Sequence, residues 1–248
     1  MIKFFRTIRQ SLIMENKKVK YLKYAIGEIV LVVIGILIAL QINNWNDQRK
    51  LSIAEKELYQ RILTDLQLDE IKIKDHILQY KNDQEMYHQI YLETKGISKQ
   101  DSIIDFSTIR AAIPFILIIE SNYSNLSKDI LNSDINESIK NYFRLENFVH
   151  DAFESIQSFK EDRLRPYLSK YGMNDTKVLF DNYQLDYYDL RGKQIFSYPK
   201  LKEQYGTVEL DQTLFDLGIK TAWALTALHN ILEANKELQL ELKNELNN

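Results

Sequence analysis

The 248-residue chain contains no cysteine, only three prolines and only seven glycines. The absence of cysteine excludes disulfides, thiolate metal sites and attachment of lipid to a cysteine. Because proline and glycine are the residues that most often interrupt helices and form turns, their scarcity indicates few turns and long helices. The predicted fold class is all-α.

Sequence signatures of catalysis are also missing. There is no Gly-x-Ser-x-Gly motif and no glycine-rich phosphate loop, and the four histidines lack metal-ligand spacings such as His-Glu-x-x-His. The paired acids Glu161 and Asp162 lie among lysines and arginines, where ion pairing explains them. We therefore predict no catalytic residue, no metal site and no cofactor, and we do not expect an enzyme.

Asp65, Asp69 and His76 follow one another at spacings of four and seven residues along a predicted helix, so they share one stripe. Such a stripe would suit a cation if the side chains converged. A solvated acidic face is the simpler interpretation, and we adopt it.

The longest apolar run lies near the amino terminus, in YAIGEIVLVVIGILIALQINNW at residues 24–45. Its first 19 residues, 24–42, contain Glu28 as their only charge. At about 1.5 Å per residue, a helix of this length reaches roughly 28 Å, close to the hydrocarbon thickness of a bilayer. We predict a transmembrane helix over residues 24–43, with Tyr24 and Trp45 as interfacial anchors at its two ends.

The charges around this run predict its orientation. Seven basic residues and one acid precede Ala25, a formal charge of +6; the whole chain carries −3, so the remainder carries −9. By the positive-inside rule the amino terminus is cytoplasmic and residues 44–248 lie outside. The acidity of this outer part argues against binding nucleic acid.

A cleaved secretion signal and a buried core helix are the two alternatives to a membrane anchor. The basic region of a signal is normally short, whereas 23 residues precede the apolar run here. The run also ends without a small-x-small cleavage pattern. An uncleaved anchor is therefore the favoured interpretation.

Residues 1–23 form a basic leader that is itself patterned. At 100° per residue its lysines and arginines fall mostly on one half of a helix, and the other half carries Ile2, Phe4, Phe5, Ile8, Leu12 and Ile13. This is the pattern of an amphipathic helix lying on anionic lipid at the inner interface, anchored by Phe4, Phe5 and Ile8. A topology signal without further role is the simpler interpretation.

Residues 44–248 are predicted to form a helical bundle, because three segments repeat apolar residues at spacings of three, four or seven. The first helix ends before Gly96 and is either continuous with the span or separated from it by a kink at 43–47. The seam of the third helix carries one polar residue, Asn235, and is expected to pack against the first helix. The seams are Leu51, Leu58, Ile62, Leu66, Ile73, Ile77, Tyr80, Tyr87 and Tyr91 in the first helix, Tyr142, Leu145, Val149, Ala152, Ile156 and Phe159 in the second, and Leu214, Leu217, Thr221, Ala224, Leu228, Ile231, Asn235, Leu238 and Leu242 in the third.

Two segments are ambiguous. Residues 111–119 are apolar but too short to cross a membrane, so we interpret them as a buried core helix with Pro114 in its first turn or at a kink. A short helix is expected over 122–131, and a strand at 115–119 stays open. Residues 186–198 form either a small hairpin about Gly192 or a loop.

Two candidate binding surfaces emerge. Gly27, Glu28, Gly35 and Ala39 form a small-residue face with a carboxylate inside the span, which suggests docking of a partner span; the alternative is an interfacial acid on a monomeric anchor. An aromatic cluster in the outer part suits a sugar, a peptide or a protein surface, or else caps the end of the bundle. This cluster comprises Tyr183, Tyr187, Tyr188, Phe196 and Tyr198, with Phe180 and Tyr205 nearby.

The order of a basic leader, this apolar run and a long charged helix resembles the amino terminus of an uncharacterised family of single-span membrane proteins common in Bacteroidota, known only as a domain of unknown function. The resemblance rests on IGEI at 26–29, Gly35 and QINNW at 41–45. SNYSNLSKDILNSDINESIKNYF at 121–143 looks like a diverged middle segment of that family, without its usual Thr-Tyr/Phe pair and glycine. The resemblance implies a bacterial inner-membrane protein that faces the periplasm, and it implies no activity.

The predicted function is that of a structural or interaction protein. In this interpretation a single-span subunit presents a periplasmic helical bundle to envelope partners, or to further copies of itself, through its span and its helical seams. The alternative is a sensor ectodomain that signals through the span to a separate cytoplasmic partner.

Overall fold

The computed structural model describes residues 18–98, 108–126, 130–181 and 195–247. Within these ranges the protein is all-α, as predicted, and the only strand-like pairing is a single bridge between Asn174 and Phe196. The α-helices are α1 (Lys18–Thr94), α2 (Ile119–Tyr123), α3 (Ser133–Phe159), α4 (Arg165–Lys170), α5 (Thr176–Phe180), α6 (Tyr198–Lys202) and α7 (Val208–Asn247), and a π-helix (Lys160–Leu164) connects α3 to α4.

The chain divides into two compact units, Met1–Glu57 and Leu58–Asn248, and α1 contributes residues to both. In the described part of the first unit, every residue from 29 to 54 is exposed. Ile29, for example, keeps 63% of its surface accessible. The helix shows no break at 43–47, where the Asn43 amide donates to the Asp47 carboxylate at 3.1 Å, one turn further along. A kinked connection at this position is therefore not observed.

By length and composition, α1 is the one described helix that could cross a membrane. The most apolar 18-residue stretch of α1 is not buried at all, whereas a core helix of this chain would bury most of such a stretch. Residues 29–42 of α1 contain no lysine, arginine, aspartate or glutamate.

The core of the second unit is built from α3, α7 and the part of α1 that begins at Leu58. All nine seam residues predicted for α7 are buried. The α1 seam is buried from Leu58 to Tyr87, but Leu51 and Tyr91 are exposed. Periodicity therefore predicted the core-facing sides of the long helices correctly.

The predicted core helix over 111–119 is wrong. Residues 111–118 are irregular, and α2 begins only at Ile119 and ends at Tyr123, earlier than the helix expected over 122–131. Phe115 and Ile119 are nevertheless buried, so the apolar residues of this segment pack into the core without helical structure. The backbone N–H groups at its end bond to a side chain of α3, described below, rather than to the preceding turn.

A second apolar cluster closes one end of this unit. It brings Tyr87 and Ile90 of α1 together with residues of the π-helix, α4, α6 and the start of α7. Of the ambiguous segment 186–198, residues 186–194 lie outside the described ranges, whereas Phe196 is buried in this cluster and bridges to Asn174.

Candidate functional site

The predicted transmembrane partner face lies on the exposed part of α1. A Cβ atom added at Gly27 or Gly35 would meet no other atom within 4 Å, so neither glycine is required by packing within one chain. Ala39 is exposed and Glu28 is half-buried. The docking of a partner span on this face stays a prediction.

Only two of the five predicted interfacial anchors, Tyr24 and Trp45, lie within the described residues. Phe4, Phe5 and Ile8 lie outside the described residues, and Tyr24 is part of the α1 backbone. Trp45 is exposed on α1, just beyond the apolar run.

The predicted aromatic cluster is only partly described, because Tyr183, Tyr187 and Tyr188 lie outside the described ranges. Phe196 and Tyr198 are buried in the core, and Phe180 is exposed at the end of α5. These positions make Phe196 and Tyr198 part of the packed end of the bundle rather than an open surface.

Glu93, near the end of α1, binds this packed end through its carboxylate. The Tyr198 hydroxyl donates to Glu93, the Tyr205 hydroxyl donates to it at 2.8 Å, and the Gln89 amide donates at 3.1 Å. Burial raises the pKa of Glu93, but these three hydrogen bonds together bring the pKa below its ordinary value. The Glu93 carboxylate therefore has its hydrogen bonds within the chain and connects α1 to α6.

A buried polar junction also joins the three long helices. The Tyr142 hydroxyl of α3 donates to Asp69 of α1 at 2.5 Å. The Asn235 amide of α7 donates to the same hydroxyl at 2.9 Å and to the Leu66 carbonyl of α1 at 3.1 Å. Because a buried polar atom without a partner is costly, these hydrogen bonds fix the register of the three helices.

The Asp69 carboxylate corrects the prediction of a solvated acidic face. Asp69 is buried, and burial raises the pKa of its carboxyl group. Asp65 accepts hydrogen bonds from Tyr123 at 2.8 Å and Asn122 at 3.0 Å, and the His76 ring packs edge-on against Phe153. The three stripe residues therefore have different partners, and no group of metal ligands occurs among the described residues.

Glu146 of α3 is a buried carboxylate that holds the start of α2. It accepts backbone hydrogen bonds from Ile118 and Ile119 at 2.9 Å and from Glu120 at 2.6 Å. Burial raises the pKa of Glu146 to about 7, although the three N–H donors oppose the shift. This side chain explains why the segment before α2 does not need its own helical hydrogen bonds.

A buried ion pair lies where the π-helix begins. The Lys160 ammonium is 3.5 Å from the Asp83 carboxylate of α1 and donates to the Ala111 carbonyl at 2.6 Å, and Thr108 donates to Asp83 at 3.2 Å. Burial lowers the pKa of Lys160 and raises that of Asp83, and each charge opposes the shift of the other. The pair fastens α1 and the segment after it to the start of the π-helix.

These groups are closed to solvent, whereas an open cleft of about 390 Å³ lies between α1 and the start of α7. Both aromatic rings and polar side chains line its walls. The first wall consists of Gln84, Tyr87, His88 and Tyr91 of α1 and of Lys95, which directly follows α1. The α7 wall consists of Asp211, Gln212, Leu214, Phe215 and Gly218.

An ion pair lines the cleft. The Lys95 ammonium is 2.7 Å from Asp211 and 5.8 Å from the centre of the Tyr91 ring. The other Asp211 oxygen is buried and, among the described residues, has no hydrogen-bond partner, and the same holds for the hydroxyl of Tyr87. The cleft is the candidate functional site of the second unit.

Sequence reasoning did not find this cleft. Tyr87 and Tyr91 were assigned to a core seam, and the α7 wall was not singled out beyond its buried leucines. The available signal was Gly218, a glycine in the interior of a 40-residue helix, where glycine costs stability and needs a reason.

The described chain is thus an all-α protein with one helix that could cross a membrane. A family of unknown function (DUF6090) has a sequence model that matches residues 28–123, well under half of the chain. The match begins at Glu28 in the apolar run and ends at Tyr123, the last residue of α2, and it is consistent with the resemblance to an uncharacterised family. No curated protein and no solved structure matches the chain.

Proposed function

We propose that the protein is a single-span membrane protein whose extracytoplasmic helical domain binds other components of the cell envelope, without enzymatic activity. The observation that carries the proposal is the exposure of the apolar run of α1. Leu37 at its centre keeps 59% of its surface accessible, and the neighbouring isoleucines and valines are equally open. A continuous apolar surface of this kind is stable in lipid and marks an interaction or aggregation site in water.

The formal charge on the two sides of the run supports the orientation. The leader before Ala25 carries +6, and the remainder carries −9. Basic residues are retained on the cytoplasmic side of a span, so the carboxyl-terminal domain lies in the periplasm and the anchor in the inner membrane. The resemblance to inner-membrane proteins supports the same location.

Binding is favoured over catalysis by where the polar groups lie. The carboxylates of Asp69, Glu93 and Glu146 and the Lys160 ammonium are each held by other groups of the chain. The open α1–α7 cleft is lined mainly by aromatic, amide and apolar groups, with His88 and the Lys95–Asp211 ion pair beside them. Such groups are typical of sites that bind a ligand or a partner side chain.

The alternative, a sensor ectodomain, is favoured by one observation. Four residues of the cleft wall, from Gln84 to Tyr91, belong to the same continuous helix as the apolar run. A ligand in the cleft would therefore touch the helix that leads to the span. Ligand-dependent changes in the second unit would favour the sensor, and stable co-purifying proteins would favour the interaction protein.

Fractionation with a matched variant tests the proposal. We expect the chain to stay in the membrane pellet after alkaline carbonate extraction. Changing Val33 and Leu37 to lysine adds two charges near the centre of the span, each costing about 2.5–3.5 kcal/mol of insertion free energy, and should release the chain. The same two lysines at Leu51 and Ile53, which are exposed beyond the run, serve as the control and should not release it. Release of the unchanged chain by carbonate would refute the anchor.

The binding part is tested by purification in a mild detergent at native expression level. The interaction protein predicts that one or more envelope proteins co-purify in fixed proportion. Purification of the chain alone, from membranes that retain it, would contradict this part of the proposal and leave the anchor intact.

A further inference from the structure

The α1–α7 cleft has the size and the composition of a small-molecule site. Its volume of about 390 Å³ lies within the range of roughly 300–1,000 Å³ that ligand pockets occupy. From these walls we infer that the cleft binds a neutral, hydroxyl-rich ring, that is, a saccharide of one or two residues. The inference names a ligand class for the binding domain proposed above and rests on that proposal for the ligand's source in the envelope.

Exposed aromatic rings provide the apolar part of the site. Phe215 on α7 keeps 62% of its surface accessible, and Tyr91 on α1 keeps 45%. Both rings flank the cleft, and both leave a large apolar surface exposed to solvent. The C–H face of a pyranose ring packs on such a ring face and removes it from water.

The polar side chains of the cleft match hydroxyl groups. Gln84 on α1 and Gln212 on α7 each carry an amide that both donates and accepts, as a sugar hydroxyl does. Lys95 and Asp211 neutralise each other at 2.7 Å, so the cleft offers no net formal charge to an ionic ligand. This balance favours a neutral ligand over a phosphate or an ammonium compound.

Two residues that line the cleft each have a hydrogen-bonding atom without a partner among the described residues. These atoms are the second carboxylate oxygen of Asp211 and the hydroxyl of Tyr87, and both are buried. Leaving such an atom unsatisfied typically costs about 1–3 kcal/mol. Asp211 lines the cleft, so a side-chain rotation that turned this oxygen toward a ligand hydroxyl would remove this cost.

Gly218 keeps the α7 wall open. A glycine inside a helix costs about 0.5–1 kcal/mol relative to alanine. Here no close packing requires it, because an added Cβ would meet no atom within 4 Å. A helix-interior glycine that lines a cavity and touches nothing is explained by the space that it leaves for a ligand.

The test uses the full chain in phospholipid nanodiscs, which avoids detergents that carry sugar headgroups. Two neutral disaccharides, N,N′-diacetylchitobiose and maltose, and a blocked tri-alanine peptide are the probes. Binding is followed by saturation-transfer NMR, and apparent dissociation constants come from its concentration dependence. We expect saturation transfer to at least one disaccharide and none to the peptide.

Gly218→Leu places a side chain in the cleft and should raise the apparent dissociation constant at least about tenfold. Thr226→Leu is the matched control, because Thr226 is exposed on the same helix, two turns from Gly218 and outside the cleft walls. The control should bind as the unchanged chain does. Tyr91→Ala and Phe215→Ala, at two exposed positions, test the same point if Gly218→Leu lowers the thermal unfolding temperature.

The inference is overturned by the absence of saturation transfer to both disaccharides at millimolar concentrations. Transfer to the peptide alone, or transfer that every cleft variant leaves unchanged, would overturn it as well. If carbonate extraction refutes the anchor, the same measurement is made on the full chain in solution. Intact binding there would contradict the proposed membrane location and leave the ligand class standing.

Discussion

Asn235 of α7 donates a hydrogen bond to the hydroxyl of Tyr142 of α3 at 2.9 Å, in the interior of the helical domain. Both side chains are fully buried, and each also binds α1, Tyr142 through Asp69 and Asn235 through the Leu66 carbonyl. The pair therefore connects all three long helices at one level. A shift of α7 by one turn would leave these atoms without partners.

Replacing Asn235 with alanine should lower the free energy of unfolding of the domain by about 1–3 kcal/mol, because the Leu66 carbonyl loses a donor and a cavity opens. The measurement is urea unfolding followed by circular dichroism. Asn230→Ala is the matched control, since Asn230 is exposed on the same helix. Equal effects of the two substitutions would show that the buried junction does not stabilise the domain.

Glu146 predicts how stability depends on pH. Burial raises the pKa of its carboxyl group from an ordinary 4.5 to about 7, so between these values the folded chain holds a proton that the unfolded chain has released. The contribution of Glu146 to stability is therefore complete below about pH 4.5 and is lost as the pH rises through about 7. Asp69 and Asp83, whose pKa values burial also raises, act in the same direction.

Glu146→Gln should flatten this part of the pH profile. Its cost should be largest near pH 4.5, because the Glu120 N–H would face an amide donor, and should shrink toward pH 8, where the unchanged chain carries a buried charge. Glu137→Gln, on an exposed position of α3, should leave the profile unchanged. The measurement is thermal unfolding of the full chain between pH 4.5 and 8. A profile that is the same in the chain with and without Glu146 would contradict the assignment.

The Lys160–Asp83 pair should behave as a buried ion pair. Lys160→Met leaves the Asp83 carboxylate buried without its cation and should cost about 3–5 kcal/mol of unfolding free energy. Changing both residues at once, Lys160→Met with Asp83→Leu, should recover a large part of that loss. The measurement is urea unfolding of the single and the double variant. A double variant that is less stable than the single one would contradict the pairing.

How much of this fold can be predicted from the sequence depends on how far apart the contacting residues lie in the sequence. The buried seam of α7 was predicted residue by residue, because helical periodicity is a local property. Segment 111–118 was predicted incorrectly, because its backbone partner is Glu146, which is remote in sequence. Asp69 was placed in solvent for the same reason, since its partner Tyr142 is 73 residues away.

The candidate cleft shows the same limit. Each of its walls is an unremarkable helix face when taken alone. The site exists only because Tyr91 and Phe215 are brought to opposite sides of one cavity by the packing of α1 and α7. The glycine at position 218, in the interior of a predicted helix, was the only feature of the cleft that could be recognised from the sequence.

The partner face in the span is tested by crosslinking, for which the absence of cysteine is an advantage. A single Leu31→Cys, on the side of α1 that carries Gly27 and Gly35, should form a disulfide between copies or with a partner in oxidised membranes. Glu28→Gln and Gly35→Leu should each weaken that crosslinking, because close approach and the carboxylate contact are lost. Val33→Leu, on the opposite side, should not. Crosslinking that Glu28→Gln and Gly35→Leu leave unchanged would contradict a docking face.

The central claim is a single permanent span with the helical domain outside the cytoplasm, and the most direct measurement is protease access to a tag at the carboxyl terminus in intact spheroplasts. We predict that added protease removes the tag while a cytoplasmic marker survives, and that the chain remains in the membrane fraction. A tag that is cut only after the spheroplasts are lysed would place the domain in the cytoplasm and contradict the account.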